Sequence, residues 1–431
     1  MREVVAINAL RTPVGSFGGI LKSFNSVQMG SLVIKEVLEG KGLRPRFTGS
    51  SINSLNNKSL KEQESLFERS RTYWDMDFRE IEIDEVILGN VLQAGQGQNI
   101  SRQAALFSGI PVETPAYTVN KVCGSGLKAI ILGALEIISG GAETIIAGGT
   151  ESMSNAPYAL PGARWGYRMD LTARGELLDL MVMDGLWEKF YNYHIGETAE
   201  NIAQLYHISR EEQDEIAFQS WERGFLSKSN SVFKDEIIPV NVPQRKAADL
   251  SIDKDERPRK TSREYLAGLK PVFNSNGSVT SGNSSGINDG AAVLLLMSKD
   301  KAIEKGLKPI AKLVAWAASG IDPRSMGLAP VTAIKKVMDK TGLKYSDLGI
   351  IEINEAFASQ LIACMKELEW SYDRVNLNGS GISLGHPIGC TGARLAVSLI
   401  HSLQRTDMKY GLQALCIGGG MGLAAIWENI E

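Results

Sequence analysis

Short apolar runs alternate with longer stretches of helical spacing along the chain. Six runs have the length and continuous apolar character of buried strands: EVVAINAL, DEVILGNV, TIIAGGT, AAVLLLMS, LGIIEIN and LQALCIGGG. Between several of them lie stretches with apolar residues at helical spacing, such as LKAIILGALEIISGGA and RLAVSLIHSLQR. Strands that alternate with helices predict an α/β fold with buried sheets.

The order of these elements is repeated in the two halves of the chain. From Asp84 the first half runs through a strand, a glycine-containing turn, a helix and a second strand, and the second half repeats this order from Asp347. The spacing nearly matches when Gly126 is aligned with Gly392. This repeat predicts duplicated halves packed face to face. The alternative, that any two strand–glycine–helix units resemble each other, stays open.

Two stretches interrupt the pattern. Residues 44–79 are polar and Ser/Asn-rich and then charged, and Leu60, Phe67 and Trp74 recur at every seventh position, so this insertion is predicted to be a short surface helix or partly disordered. Residues 155–285 have weaker strand signals and are predicted to be a large loop region that carries binding groups. The predicted division is an N-terminal half, 1–154, an inserted loop region, 155–285, and a C-terminal half, 286–431.

Composition and charge exclude some classes of protein. The 431-residue chain is 43% apolar and 22% charged, with a net charge of −3. The chain therefore lacks the excess of basic residues that is typical of a nucleic-acid-binding protein. The N-terminus shows neither a signal nor a transit pattern, and no apolar run reaches the roughly 18 residues of a membrane-spanning helix. With four cysteines and no CxxC spacing, the chain is expected to be cytoplasmic, without a membrane or nucleic-acid partner.

The strongest chemical signal is a cysteine where a strand turns into a helix. Cys123 lies in NKVCGSGLKAII, directly before the apolar helix pattern. A thiol at a helix N-terminus is expected to have a lowered pKa, and the free N–H groups there are suited to bind an oxyanion. Cys123 is therefore a candidate nucleophile. The competing interpretation is an inert buried cysteine, the commoner role of a lone thiol.

Three further segments carry candidate partners for this thiol. His386 lies in the glycine-rich GSGISLGHPIGCTGAR and is a candidate general base, whereas His207 and His401 lie in helical contexts and are expected to be structural. Cys416 ends an apolar strand before three glycines, where a second thiol is suited to acid–base work. Asn354, at the end of the strand in EINEAFASQ, is placed either to orient a water or imidazole or to cap the helix that follows.

Together these motifs resemble those of the thiolases, in the family's order and over nearly the whole chain. They are NKVCGSGLKA, GGTESMSNAP, SGNSSGINDGAA, NEAFASQ, GISLGHPIGCTGAR and CIGGGMG. The resemblance implies an α/β fold of duplicated βαβαβαββ halves that form a layered α-β-α-β-α core with a large inserted loop domain. It also implies a homo-tetramer, a dimer of dimers, or else a dimer.

The resemblance implies a role for each candidate residue. Cys123 is expected to take the acyl group as a thioester, His386 to activate that thiol, and Cys416 to move a proton at the acetyl α-carbon or at coenzyme A. Asn354 is expected to hold a water that forms one oxyanion site with His386, and the N–H groups of Cys123 and Gly418 to form the second. The implied substrate contacts are Ser285 to the pantetheine arm, Met326 and Phe357 in the acyl pocket, and Tyr158 near the pantetheine.

The implied reaction is the reversible condensation of two acetyl-CoA to acetoacetyl-CoA and CoA through an acetyl-cysteine intermediate. Coenzyme A thioesters are expected as substrates, with no cofactor and no metal, and fatty acid metabolism as the setting. A thiolase of broader chain length, acting in fatty-acid β-oxidation, is the first alternative. A ketoacyl synthase is a weaker alternative, and a non-catalytic acyl-CoA- or lipid-binding relative is expected to have lost one of the three catalytic residues.

Some positions depart from the family pattern. The insertion 44–79 is longer than in most relatives, and Tyr158 replaces a histidine that many short-chain members carry. Cys390 replaces a common alanine and has no assigned role, and Cys364 is expected to lie in the core. If Cys123 and Cys416 converge on one substrate carbon, they are expected to be close enough for a reversible disulfide that stops turnover.

Overall fold

The computed structural model describes residues 2–47, 73–169, 176–244 and 248–430. The strands, numbered along the described chain, are β1 (Val4–Arg11), β2 (Gly15–Ser16), β3 (Leu43–Pro45), β4 (Arg79–Ile81), β5 (Glu85–Gly89), β6 (Ala116–Val119), β7 (Thr144–Ser152), β8 (Tyr158–Ala159), β9 (Leu178–Asp179), β10 (Trp187–Glu188), β11 (Tyr193–His194), β12 (Val240–Val242), β13 (Leu250–Ile252), β14 (Asn288–Ser298), β15 (Ala311–Gly320), β16 (Leu348–Ile353), β17 (Tyr410–Ile417) and β18 (Met421–Asn429).

The helices of the described residues connect and cover these strands. They are α1 (Ser26–Glu39), α2 (Ile100–Phe107), α3 (Ser125–Ser139), α4 (Leu180–Gly185), α5 (Gly196–Leu205), α6 (Arg210–Ser229), α7 (Arg263–Ala267), α8 (Lys299–Glu304), α9 (Ala329–Thr341), α10 (Ala358–Leu368) and α11 (Ile388–Thr406). Helix α6 starts with a capping box, in which Ser209 and Glu212 each satisfy the other's backbone N–H.

The main sheet is mixed and joins two groups of strands. Its order is β16-β17-β18-β15-β1-β14-β7-β5-β6, and β2 pairs with β14. Strands β1 and β15 connect the groups through only two residue pairs, Val5 with Lys312 and Ala6 with Ala311. All eleven residues of β14 are buried, because other parts of the molecule cover both faces of this strand. Such a strand needs apolar side chains that point in both directions.

Helices α3 and α11 form the layer between the two groups of strands. Leu127 and Ile130 of α3 share one apolar cluster with Leu395 of α11 and with strand residues of both groups, such as Leu294 and Leu415. Helices α1 and α2 pack on the outer side of the N-terminal strands, and α9 and α10 pack on the outer side of the C-terminal strands. The predicted α-β-α-β-α layers are confirmed.

The equivalence of Gly126 and Gly392 in the repeat agrees with the contact between α3 and α11. A Cβ on Gly126 would lie 2.8 Å from the backbone N of Ala393, and a Cβ on Gly392 would lie 2.5 Å from the backbone N of Leu127. Each glycine therefore contacts the residue that follows its counterpart. This reciprocal contact is what two duplicated halves related by an approximate twofold axis produce.

The predicted division into three regions remains a proposal, with one change at its second boundary. The sequence assigned β14 to the C-terminal half, but this strand lies between β1 and β7 of the N-terminal group. Consecutive strands need not be neighbours in a sheet, so chain order alone did not reveal this placement. We propose that the boundary between the halves follows Ser298.

The ends of the insertion 44–79 are held together. Strand β3 pairs in parallel with β4, so the chain returns beside the point from which it departs. Trp74 is buried and its indole N–H donates to the carbonyl of Gly109 at 3.0 Å. The rest of the predicted surface helix, with Leu60 and Phe67, lies outside the described residues.

One expectation about apolar runs is wrong. The stretch Val122–Ser139, which contains α3, is 18 residues long with a mean hydropathy of 1.6, and it is long and apolar enough by composition to cross a membrane. It is the one such stretch in the described part of the chain, and 61% of it is buried inside the molecule. Glycines and a lysine interrupt the apolar residues of this stretch, so it was not recognised in the sequence. The helix is apolar because it is packed between the two groups of strands.

Candidate active site

A strained turn presents Cys123 at the start of α3. Val122 has a φ of +46°, a conformation that is costly for a β-branched residue. Hydrogen bonds on both sides hold this turn: the Asn120 side chain accepts from Val122 N at 2.9 Å, and the Ser125 hydroxyl accepts from Lys121 N at 2.8 Å while it donates to Val122 O at 2.6 Å. Backbone strain that is held in this way is common at functional sites.

The C-terminal half meets this turn at the end of β17. A Cβ on Gly124 would lie 2.4 Å from the Ile417 side chain, so only glycine allows this approach. The backbone N–H groups of Gly418 and Cys123 both act to lower the pKa of the Cys123 thiol, so both lie near its sulfur. The two N–H groups predicted to form an oxyanion site therefore converge on the candidate nucleophile.

The loop before α11 fixes the position of His386. Gly385 has a φ of +112°, and His386 N donates to the buried Asn288 Oδ1 at 3.0 Å. The imidazole Nδ1 lies 2.6 Å from Thr391 Oγ1, and its Nε2 lies 3.5 Å from Asn354 Nδ2. The buried Asn354 Oδ1 has no partner among the described residues, which suits an amide that holds a water.

Most of the predicted site residues share one cavity of about 500 Å³. Cys123, His386 and Cys416 all line it. The predicted substrate contacts Ser285, Met326 and Phe357 line it as well. Much of the remaining wall is apolar, from Met153, Leu186, Ile195, Phe273, Ile287 and Ile388. The cavity therefore places two thiols and the imidazole of His386 against a mainly apolar surface.

Tyr158 does not line this cavity. Tyr158 is 63% exposed. A hydrogen bond with the Asp179 side chain raises the pKa of its hydroxyl. The short ribbon β8–β9 pairs these two residues at the surface. Tyr158 thus lies at the surface outside the cavity, and its contact with the pantetheine arm stays a prediction.

His194 lies in the cavity wall, and the sequence analysis missed it. Its ring stacks on Phe273 with 4.7 Å between ring centroids, and its Nδ1 accepts from Gly196 N at 3.0 Å. Because Nδ1 is an acceptor, the ring proton is on Nε2, and this histidine is a donor. The sequence signal was a histidine between an aromatic residue and a helix start, in YHIG.

Arg257 also lines the wall of the cavity and was not among the residues predicted from the sequence. Its guanidinium stacks on Trp221 at 4.8 Å and donates from Nε to the carbonyl of Ile382 at 2.8 Å. Burial, with the neighbouring charge of Arg259, lowers its pKa to about 10. Arg257 thus supplies a positive charge to a mainly apolar cavity.

Burial sets the protonation states of the reactive groups. It raises the pKa of the Cys123 thiol to about 11, although the N–H groups of Gly418 and Cys123 act in the opposite direction. The expected lowering by the helix N-terminus is therefore wrong, because the desolvation of a buried thiolate outweighs it. Burial, and then the charge of Arg394, lower the pKa of His386 to about 3. At neutral pH the site holds a neutral thiol and a neutral imidazole.

The other cysteines and histidines have structural surroundings. All four cysteines are free thiols. Cys364 donates to the carbonyl of Gly327 at 3.1 Å, and Cys390 is buried in the central cluster. His401 Nε2 lies 2.8 Å from the carbonyl of Ala9, and His207 lies beyond the end of α5. Within the described residues, no group of three histidine, cysteine or carboxylate side chains is placed to hold a metal ion.

Comparison with known proteins agrees with the layered fold. Residues 75–300 match the thiolase N-terminal domain, and residues 307–429 match the thiolase C-terminal domain. The chain belongs to the thiolase family.

Several relatives match over the whole chain. An acetyl-CoA acetyltransferase of Syntrophomonas wolfei is 47% identical over 431 residues, with all of both chains covered. One of Pseudomonas aeruginosa is 47% identical with 98% of each chain covered. A probable acetyl-CoA acyltransferase of Staphylococcus epidermidis is 46% identical, again with all of both chains covered. The insertion 44–79 is thus not peculiar to this chain, since these relatives are about as long.

A solved structure also matches over the whole chain. The acetyl-CoA acetyltransferase of Bacillus anthracis superposes with a TM-score of 0.89 at 41% identity, with 100% of this chain and 99% of the other covered.

Proposed function

We propose that this thiolase is an acetyl-CoA C-acetyltransferase, which condenses two acetyl-CoA to acetoacetyl-CoA and CoA and also runs the reverse reaction. The observation that carries the proposal is the joint placement of Cys123, His386 and Cys416 around one cavity. The relatives from Syntrophomonas and Pseudomonas are both called acetyl-CoA acetyltransferases, which supports this activity. Acetyl-CoA, acetoacetyl-CoA and CoA are then the substrates and products, and the chain needs no cofactor.

The first half of the reaction acylates Cys123. The thiol is neutral, so its proton passes to Nε2 of His386 as the sulfur attacks the thioester carbonyl. The oxyanion that forms is stabilised by the N–H groups of Cys123 and Gly418. Collapse of this intermediate expels the CoA thiolate, which takes the proton of the Cys416 thiol, while His386 keeps the proton from Cys123. An acetyl-cysteine and free CoA are the products.

The second half forms the carbon–carbon bond. The Cys416 thiolate, formed when its proton passed to the departing CoA, takes a proton from the α-carbon of a second acetyl-CoA. The enolate oxygen is stabilised by His386 together with a water on Asn354. The enolate carbon attacks the acetyl-cysteine carbonyl and the carbon–sulfur bond to Cys123 breaks. The released Cys123 thiolate takes back its proton from His386, and acetoacetyl-CoA leaves. Burial raises the pKa of Cys416 well above its ordinary value, which makes its thiolate a strong base.

A thiolase of broader chain length is the second candidate. The Staphylococcus relatives are called acyltransferases rather than acetyltransferases, and this name does not restrict the acyl group. Met326 and Phe357 argue against a long acyl chain. They are buried in one cluster with Cys416 and close the cavity wall beside this thiol. We therefore place the four-carbon substrate first.

Cleavage assays with a series of substrates decide between these candidates. CoA-dependent cleavage of acetoacetyl-CoA is compared with that of 3-ketoacyl-CoA esters of six to sixteen carbons, with Cys123→Ala as the control. We expect cleavage of the four-carbon ester alone, and none by the variant, because the acyl-enzyme cannot form. Equal cleavage of long esters would instead favour the β-oxidation candidate. No cleavage of any ester would favour a non-catalytic acyl-CoA-binding protein, although all three catalytic residues are present.

We also propose that the chain assembles as a homo-tetramer, a dimer of dimers. The support is a short segment of the inserted loop region in which Trp165, Tyr167 and Met169 are all exposed, Trp165 and Met169 by 83% and 86%, because apolar side chains exposed together mark protein–protein contacts. Light scattering after size exclusion should give the mass of four chains, and a mass of one chain would contradict the proposal. A cytoplasmic location, a role in fatty acid metabolism and a reversible Cys123–Cys416 disulfide stay predictions.

A further inference from the structure

The imidazole of His386 has a partner that the reaction outlined above does not use. Thr391, in the first turn of α11, places its hydroxyl 2.6 Å from Nδ1. Both side chains are buried. The same hydroxyl lies 2.9 Å from the carbonyl of Pro387, to which it donates.

Counting protons assigns the tautomer. A hydroxyl has one proton, and that of Thr391 points to the Pro387 carbonyl, which can only accept. Its lone pairs then accept, so the ring proton of His386 is on Nδ1. The other nitrogen agrees with this assignment, because the Nδ2 group of Asn354 at 3.5 Å can only donate to Nε2. Nε2 thus keeps its lone pair.

The hydroxyl is not needed by the helix itself. The Pro387 carbonyl already accepts from the backbone N–H groups of Cys390 and Thr391, both at 2.9 Å. Among the residues that the structure describes, Nδ1 of His386 has no other hydrogen-bond partner than this hydroxyl. Removal of the hydroxyl would therefore leave a buried ring N–H unpaired, without breaking the first turn of α11.

We propose that Thr391 is a positioning residue, which fixes the tautomer and the ring orientation of His386 so that Nε2 is the proton acceptor for Cys123. The proposal rests on the proposed function in one respect, that His386 is the base for this thiol. A ring that loses its Nδ1 acceptor rotates or changes tautomer, and Nε2 then no longer accepts the proton.

The test compares two threonines of the same helix. Thr391→Val and Thr391→Ala remove the acceptor, and Thr391→Ser keeps it. Thr406 makes the same type of hydrogen bond, to the carbonyl of Ser402 at 2.7 Å, so Thr406→Val is the matched control. Two quantities are measured: steady-state cleavage of acetoacetyl-CoA, and the rate at which iodoacetamide alkylates Cys123, followed by mass spectrometry of its peptide.

We expect Thr391→Val to lower kcat about 10- to 100-fold, the usual effect when a buried donor loses its partner, with KM changed less than about threefold. Alkylation of Cys123 should slow by a similar factor. Thr391→Ser should restore both rates to within about threefold of wild type, and Thr406→Val should leave both unchanged. A purely structural role would lower the melting temperature but would not slow the alkylation.

The proposal is overturned if Thr391→Val keeps both rates within about twofold of wild type, or if Thr391→Ser is as slow as Thr391→Val. If the valine variant does not fold, the alanine variant is judged by the same limits. If wild type itself does not cleave acetoacetyl-CoA, the proposed function fails, but the alkylation rates still decide the role of Thr391.

Discussion

Replacement of His386 by Asn should lower kcat for acetoacetyl-CoA cleavage about 100- to 10,000-fold, the range that one general base contributes. The thiol of Cys123, with its pKa raised to about 11, is almost entirely protonated at neutral pH and needs an acceptor for its proton. Asn donates and accepts hydrogen bonds but takes up no proton. Steady-state kinetics with saturating CoA measure the effect.

The matched control is His401→Asn. This histidine lies on α11 and contacts the carbonyl of Ala9, and it does not line the cavity. Its replacement should leave kcat within about twofold of wild type. If His386→Asn instead kept kcat within tenfold of wild type, another group would have to be the base.

The same variant should change the pH dependence of stability. The pKa of His386 is lowered from 6.5 to about 3, so between these pH values the unfolded chain binds a proton that the folded chain does not. Wild type therefore loses stability as the pH falls from 6.5 towards 3, by on the order of 1 kcal/mol per pH unit from this group. The Asn variant lacks this contribution. Urea unfolding at pH 7.5, 6.0 and 5.0 should show a stability difference that changes with pH.

Buried strands were the part of the fold that the sequence predicted best. Strand β14 contains the continuous apolar run AAVLLLM, which fits a strand covered on both faces, and a run of this kind needs no context to be recognised. Strand β15, AKLVAWAASG, was not predicted, since alanine and glycine dilute its apolar pattern and several of its residues are half-buried. Its place in the sheet depends on pairing with β18, which no local pattern contains.

The candidate site was predictable where a reactive residue lies in an unusual local sequence. Cys123 and His386 both lie among glycines, which mark turns, and the structure holds both in fixed positions. His194 was missed because its place in the wall results from stacking on Phe273, a partner far along the chain. The wrong sign for the pKa of Cys123 has a related cause, because burial by the other half outweighs the local helix N-terminus.

The contact between the two halves gives the largest expected effect on stability. Gly126→Ala would place a Cβ 2.8 Å from the backbone N of Ala393 and 3.0 Å from the carbonyl of Gly389. Backbone atoms at a helix crossing cannot rotate away, so α3 and α11 must separate. We expect the free energy of unfolding to fall by about 3 kcal/mol, at the upper end of what overpacking costs. Urea unfolding of the purified variant measures it.

Gly133→Ala is the matched control because it makes the same change two turns further along α3. There the nearest atom is a side-chain methyl group of Ile145, at 3.1 Å, which can move, and alanine favours the helix by about 1 kcal/mol over glycine. The expected change in stability is within about 1 kcal/mol. The two glycines thus separate the effect of helix propensity from that of close approach. A change of less than about 1 kcal/mol in Gly126→Ala would show that the crossing of α3 and α11 tolerates a methyl group, and that the reciprocal glycines do not hold the halves in register. A loss confined to Gly126→Ala, together with a fall in kcat, would show that this crossing also sets the distance between Cys123 and His386, since each lies just before one of the two helices.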